Sequence, residues 1–258
     1  MNLNYFGILT ILSYLSIALA QGLSLFGQMP FSRWRYFTTS VVSLSGHGWI
    51  LYKLIETPQG QNLNWLIMLT FTLWLMNLFT FFTSFKAKVE SLCVFTYPLA
   101  AVSVVLALSF SGIQVVDTKS QPMVLAHIFI SLFAISLLFL ASMQAVLMGF
   151  QHYLLKRHQP SPLLLILPPL QTMETLLFHI LWSGMIFLSA SLCSGFIFPN
   201  EFVANLSKSM LAISAWVLLT LLLVGRHIFG WRGLKAIRWT LSGTFLIFLS
   251  YFGTKAIL

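Results

Sequence analysis

Charge is scarce in this chain, and negative charge most of all. Of 258 residues only five are Asp or Glu and fourteen are Lys or Arg, 7% in all, against roughly a quarter in an ordinary soluble domain. With 58% of residues hydrophobic, there is too little polar surface to cover a globule in water, which excludes a soluble fold. Cysteine is equally sparse. Cys93 and Cys193 both sit inside apolar runs, where a thiol is a small hydrophobe, so no disulfide scaffold is encoded. Internal repeats and paired intramembrane carboxylates are missing, which removes the usual marks of inverted-repeat and proton-coupled transporters. There is no P-loop, no metal-spaced Cys/His cluster and no nucleophile elbow. We therefore expect no catalytic residues and no enzyme.

What the chain does have is apolar length. A bilayer core of about 30 Å needs about 20 apolar residues per helix, and eight runs of that size can be drawn. They cover 4–26, 36–55, 64–85, 92–112, 122–149, 175–198, 208–228 and 238–257. The reading is an all-α, polytopic integral membrane protein, a bundle of eight transmembrane helices forming a single domain over 1–258. Ala18-Leu19-Ala20 before Gln21 resembles a signal cleavage site, but no Lys or Arg precedes it. The expectation is a retained first helix.

The net charge of +9 becomes informative once it is sorted by loop. One alternate set holds Arg33, Arg35, Lys86, Lys88, Lys156, Arg157, Arg226, Arg232, Lys235 and Arg238; the opposite set holds only Lys53, Lys119, Lys208 and Lys255. Short loops rich in Lys and Arg stay cytoplasmic, so both termini are expected on the outer, periplasmic side. The surplus marks orientation and not a nucleic-acid partner. Glu56, Asp117 and Glu201 then fall outside. Arg226 and His227, at an inner helix end, read as headgroup contacts. The one long inner loop, 150–174, carries four prolines and is expected to lie as an interfacial segment, with His152 and His158 in it. Glu174 suits the amino end of the following helix.

Intramembrane ionisable groups are functional-site hypotheses by default, which brings forward His47, His127 and His179. At 1.5 Å per residue, His47 lies about 12 Å and His127 about 8 Å below the outer ends of their spans. His179 lies near the opposite face. Two neutral imidazoles at similar depth have the chemistry of axial haem ligands. The alternative is that each histidine hydrogen-bonds a neighbouring helix and holds the bundle together. Gly46 and Gly48 flank His47 and permit close approach by a flat ligand or by a helix. No Cys-x-x-Cys-His is present, which disfavours covalent haem. Trp34, Trp65, Trp231 and Trp239 stand at span ends as belt residues. Trp49, Trp74, Trp182 and Trp216 lie deeper as packing residues, and Trp49 and Trp216 are also candidates for a pocket wall.

Four stretches carry a resemblance. They are Gln59-Gly60-Gln61-Asn62-Leu63; Met123-Val124-Leu125-Ala126-His127-Ile128; Leu167-Pro168-Pro169-Leu170-Gln171-Thr172-Met173-Glu174 with Phe178-His179; and Gly225-Arg226 through Gly230-Trp231-Arg232-Gly233 to Tyr251-Phe252-Gly253. In these the chain resembles the CcsA/CcmC-type cytochrome c assembly proteins of the bacterial inner membrane, within their YpjD/HemX-like branch, from about residue 40 onward. The resemblance implies haem handling near the outer face, and His127 falls at the position of one family histidine. The family's tryptophan-rich W-G-x-x-W-x-W-D loop has no counterpart: the corresponding stretch reads Pro199-Asn200-Glu201-Phe202-Val203-Ala204-Asn205-Leu206-Ser207-Lys208. The family's second outer histidine is also lacking, and His227 is displaced from its third.

The expectation is therefore an inner-membrane protein that binds or passes haem noncovalently, with His127 and His47 as ligand candidates and without the platform for haem attachment. Its partners would be the lipid bilayer, haem, and cytochrome c assembly or other membrane proteins. The alternative is a non-haem regulatory or structural membrane partner, as in HemX-like control of tetrapyrrole synthesis. A transporter ranks third.

Overall fold

In hydrocarbon every backbone polar group must be satisfied within the segment, and helices meet that demand. The computed structural model describes residues 3–30, 32–58, 60–86, 89–110, 112–116, 122–157, 164, 167–197 and 206–253. Within these are α1 (Leu3–Leu25), α2 (Arg33–Ile55), α3 (Trp65–Thr83), α4 (Cys93–Phe110), α5 (Pro122–Lys156), α6 (Leu170–Gly195), α7 (Leu206–Phe229) and α8 (Leu234–Phe248). Six of them, all but α2 and α8, are long and apolar enough to cross a membrane, α4 being counted with its leading turn from Glu90. The protein is an all-α, multi-pass membrane protein. Length does not hold α2 back: Thr38, Thr39, Ser40, Ser43, Ser45 and His47 run through its middle. α8 has 15 residues before it continues as a π-helical turn, Leu249–Gly253.

The helices form two compact units, α1–α4 and α5–α8. In the first, α1 packs on α2 and α4, and α3 packs on the same two. Lipid tails offer no hydrophobic drive for association, so close packing and interhelical hydrogen bonds must supply it. Both are present. A Cβ on Gly7 would lie 2.5 Å from Leu108 Cδ1. Thr70 Oγ1 donates to the Ser103 carbonyl (3.1 Å), Asn77 Nδ2 to that of Thr96 (3.3 Å) and Trp74 Nε1 to that of Leu44 (2.8 Å). Gly46 and Gly48 serve helix approach, the first against Thr10 of α1 and the second against Trp74 of α3.

One end of this unit carries a small antiparallel sheet that the sequence reading did not anticipate: β1 (Glu56–Thr57), β2 (Gly60–Asn62) and β3 (Val115–Val116), with Thr57 opposite Gly60 and Asn62 opposite Val115. Gly60 has φ 144°, and a Cβ there would lie 2.6 Å from the Val116 carbonyl oxygen. Only glycine fits. Asn62 knits the corner together: its Oδ1 accepts from Asn64 N (3.3 Å) and Gln114 N (2.9 Å), and its Nδ2 donates to the Gly112 carbonyl (3.2 Å). Asn64 in turn caps α3 at Leu66 N.

In the second unit, Gly184 lets α6 approach Leu138 of α5, Thr244 of α8 donates to the Leu138 carbonyl (3.3 Å), and Gly243 lets α8 approach Leu219 of α7. The loop expected over 150–174 is shorter than drawn. α5 continues to Lys156 because no proline occurs before Pro160, so His152 is helical. α6 starts at Leu170 with Pro169 as its N-cap, a helix entry that suits a residue of fixed φ. Several residues of the sequence reading lie outside the described residues: Gln59, Lys88, Asp117, Lys119, His158, Lys255 and the stretch 198–205, which includes Glu201.

Candidate functional site

His47 is fully buried in the first unit. Its Nδ1 hydrogen-bonds Tyr14 Oη of α1 at 3.0 Å, with the two rings edge to face at 5.7 Å. Tyr14 then meets Tyr97 of α4 edge-on at 5.0 Å, and Tyr97 Oη donates to Ser40 Oγ of α2 at 2.9 Å. The imidazole is thus one member of an aromatic, hydroxyl-bearing core. Its Nε2 is buried and has no hydrogen-bond partner among the described residues.

His127 stands differently. It is half-buried in the second turn of α5, and its Nδ1 hydrogen-bonds Ser194 Oγ of α6 at 2.7 Å. Three serines complete a ring around it. Ser194 Oγ donates to the Ser191 carbonyl (2.9 Å), Ser131 Oγ donates to the His127 carbonyl (2.8 Å), and the Ser131 and Ser191 hydroxyls are 2.6 Å apart. Each hydroxyl has one proton. Ser131 spends its proton on the His127 carbonyl, so Ser191 donates to Ser131; the direction of the Ser194–imidazole bond follows the tautomer of His127. Beyond the imidazole Cε1 is Gly195, whose missing Cβ would lie 3.5 Å away. The residues at 127 and 131, and at 191, 194 and 195, share helix faces by the i, i+3, i+4 rule. Small polar residues at that spacing on two apolar helices were a readable signal that the histidine-centred reading passed over.

His47 and His127 belong to different units. Trp49 follows His47 by two positions, about 200° round the helix. It is 48% exposed, beside Tyr52, with Lys53 Nζ over its ring at 5.0 Å, which puts it on the outer face of α2. Trp216 of α7 donates from Nε1 to Ser189 Oγ of α6 at 2.8 Å. Trp74 packs inward as expected, and Trp182 is exposed. His179 and His227 are also exposed.

The largest revision concerns charge. Arg226, expected as a headgroup contact, has a carboxylate partner within the protein. It pairs with Glu174, buried in α6, while its guanidinium lies 4.4 Å from the centre of the Phe178 ring. Arg232 Nε approaches the same carboxylate oxygen at 3.3 Å, and Gly233 N donates to the other at 3.2 Å. This staple joins the two motif stretches around Glu174 and Arg226–Gly233. The first unit has a parallel one: buried Glu90 lies 3.4 Å from Arg33 Nε, and Arg33 Nη2 donates to the Ser84 carbonyl at 2.8 Å. Among the described residues no cluster of His, Cys, Asp and Glu could hold a metal ion by itself.

A sequence model of the Cytochrome C assembly protein family matches residues 36–258. Inner membrane protein YpjD of Escherichia coli K12 is 29% identical over 163 residues, 62% of each chain. An uncharacterized 28.8 kDa protein of Azospirillum brasilense is 31% identical over 133 residues, 50% of this chain and 49% of its own. The chain thus spans less than two thirds of these relatives' length. No solved structure gives a significant match.

Proposed function

We propose that this chain, which belongs to the Cytochrome C assembly protein family, is a protein of the bacterial inner membrane that binds or passes haem noncovalently near the outer face, with His127 as an axial ligand. Eight spans, with both termini outside and the basic loops in the cytoplasm, complete the reading. Relatives named as inner membrane proteins and the sorting of Lys and Arg among the loops support it. It assigns the chain a binding role and no enzymatic one.

The observation that carries the proposal is the setting of His127: a half-buried imidazole near the start of α5, tied through Nδ1 to Ser194 of α6. Ligating histidines take this form, since the nitrogen away from the metal donates to an outer partner that orients the ring. The donor chemistry therefore fits haem, and Gly195 keeps side-chain bulk away from the Cε1 edge. His47 fits less well. It is enclosed by helix packing, so a macrocycle could reach its Nε2 only by parting the helices around it. The geometry at His47 favours the helix-joining role, and Trp49, on the outer face of α2, is poorly placed as a wall beside it. Trp216 remains a candidate wall residue in the unit that holds His127. Haem, when bound, supplies a redox-active iron. The protein's part is to present Nε2, fix the imidazole plane and surround it with apolar and hydroxyl groups.

The test is the absorption spectrum of detergent-purified protein with and without added haem. A Soret band that is lost in His127→Ala supports the proposal; absence of any band after haem loading refutes it. A second reading, a non-haem regulatory or structural membrane partner, is favoured by one observation: both histidines already join helices through Nδ1. It predicts no Soret band.

A further inference from the structure

The second unit carries more positive charge at one end than its own acids can neutralise. Among its described residues Glu174 is the only acid, and Arg226 balances it. Arg232, Lys235 and Arg238 remain, all exposed. Neither Lys235 nor Arg238 pairs with a carboxylate among the described residues. We infer that the turn between α7 and α8 is a binding site for the headgroup of an anionic phospholipid. Haem plays no part in it.

The backbone gives this turn a defined shape. Gly230 and Gly233 have φ of 63° and 57°, and Trp231 N donates to the Gly225 carbonyl at 3.1 Å. The Trp231 indole is thereby laid on Gly225, where a Cβ would come within 2.5 Å of the ring. Trp239 meets that indole at 5.0 Å, Phe229 stacks beside it at 6.3 Å, and Lys235 Nζ stands 5.7 Å from its centre. Residues 235, 238 and 239 share one face of α8 by their spacing, so cations and rings form a single patch. Indole rings settle where hydrocarbon gives way to headgroups, and basic side chains beside them attract anionic lipid. Arg232 is held by Nε against Glu174 at 3.3 Å while its side chain is 61% exposed. A guanidinium anchored at Nε keeps its terminal nitrogens for the forked grip that suits a phosphate. The first turn of α8 has no acidic residue and no side-chain cap, so Lys235 opposes the helix dipole there, and an anion relieves that opposition. A zwitterionic headgroup has no net charge with which to do so. The rings adjoin the end of α7, which is long and apolar enough to cross a membrane, so the occupant that fits is a lipid with its tails beside that helix.

The test is native mass spectrometry of the full chain in detergent, titrated separately with phosphatidylglycerol, phosphatidylcholine and inorganic phosphate. Wild type should bind phosphatidylglycerol about tenfold or more tightly than phosphatidylcholine, as expected where several basic residues meet an anionic headgroup. The double variant Lys235→Gln/Arg238→Gln should lose about 10- to 30-fold of the phosphatidylglycerol affinity and keep its weak phosphatidylcholine binding. Lys156→Gln/Arg157→Gln removes the same charge from exposed positions at the end of α5 and should leave phosphatidylglycerol binding at this site unchanged. Both pairs are exposed, so melting without added lipid should match the wild type in each. Trp239→Leu keeps every cation and should weaken phosphatidylglycerol binding while leaving its salt dependence as it was. Equal affinity of wild type for the two lipids overturns the inference, as does an equal loss in the two double variants. Displacement of phosphatidylglycerol by inorganic phosphate at equal concentration would also overturn it, because the site would then take a free anion and not a lipid.

Discussion

Removing the carboxylate of Glu174 should be among the most damaging single changes in the second unit, and the cost can be worked from its partners. Glu174 is 8% exposed, the Arg226 side chain 24% and the Arg232 side chain 61%. Breaking a buried ion pair by deleting one partner costs about 3–5 kcal/mol, because a charge is left without compensation. The partial exposure of Arg226 lowers that to about 2–3 kcal/mol, and the well-solvated Arg232 contributes under about 1 kcal/mol. Gly233 N loses its acceptor, for roughly another 1 kcal/mol. The expected total for Glu174→Ala is about 3–4 kcal/mol, and at about 2–4 °C per kcal/mol for a chain of this size the melting temperature should fall by about 10 °C. The assay is thermal melting of the detergent-purified protein, repeated for Arg226→Ala and the double variant. If the pair is direct, the two single losses overlap, and the cycle returns a coupling of about 2 kcal/mol. Strict additivity, or a Glu174→Ala protein that melts with the wild type, would refute the staple as an energetic unit.

Three further outcomes follow from the packing. His47→Phe should cost about 1–2 kcal/mol, because it keeps a ring and removes the unpartnered Nε2 but takes from the buried Tyr14 hydroxyl its partner, whereas His47→Ala should cost about 2–4 kcal/mol as a cavity; loss of haem binding in His47→Phe would instead make His47 a ligand. Gly60→Ala should cost about 2 kcal/mol or more, from its positive φ and the approach of Val116 O, seen as faster protease nicking between β1 and β3; unchanged nicking would count against the corner as drawn. Gly243→Ala should force α8 away from Leu219, with a loss of about 1–3 kcal/mol in the same melting assay, and a neutral result would mean that the two helices are not so close.

The helices were legible because bilayer thickness imposes a length that composition cannot hide. The same length search drew α2 as the run 36–55, although Ser, Thr and His residues make its middle too polar to pass on composition alone. What escaped reading depended on pairing in space. Nothing near Glu174 in sequence says that its partners are Arg226 and Arg232, and an arginine at a helix end looks the same whether it reaches for headgroups or for a carboxylate. The sheet escaped because strands of two and three residues are too short to show any alternation. The long inner loop was drawn too long because its prolines were weighed as a group, although only Pro160 onward could stop α5 and Pro169 begins α6. His127 was legible by its type, but the serines that surround it are each ordinary residues of an apolar helix.

The two carboxylate staples also constrain the order in which the protein is built. Arg33 emerges long before Glu90, and Glu174 waits 52 residues for Arg226. Neither ion pair can form while only the first helices of its unit have been made. Each gains its ion pair only when a later segment delivers the missing charge, so the contacts among α1 to α3, and between α5 and α6, form before the staples close. A chain interrupted just before Glu90 or Arg226 would leave inserted helices without their clasp, a form that membrane quality control could tell from the finished protein.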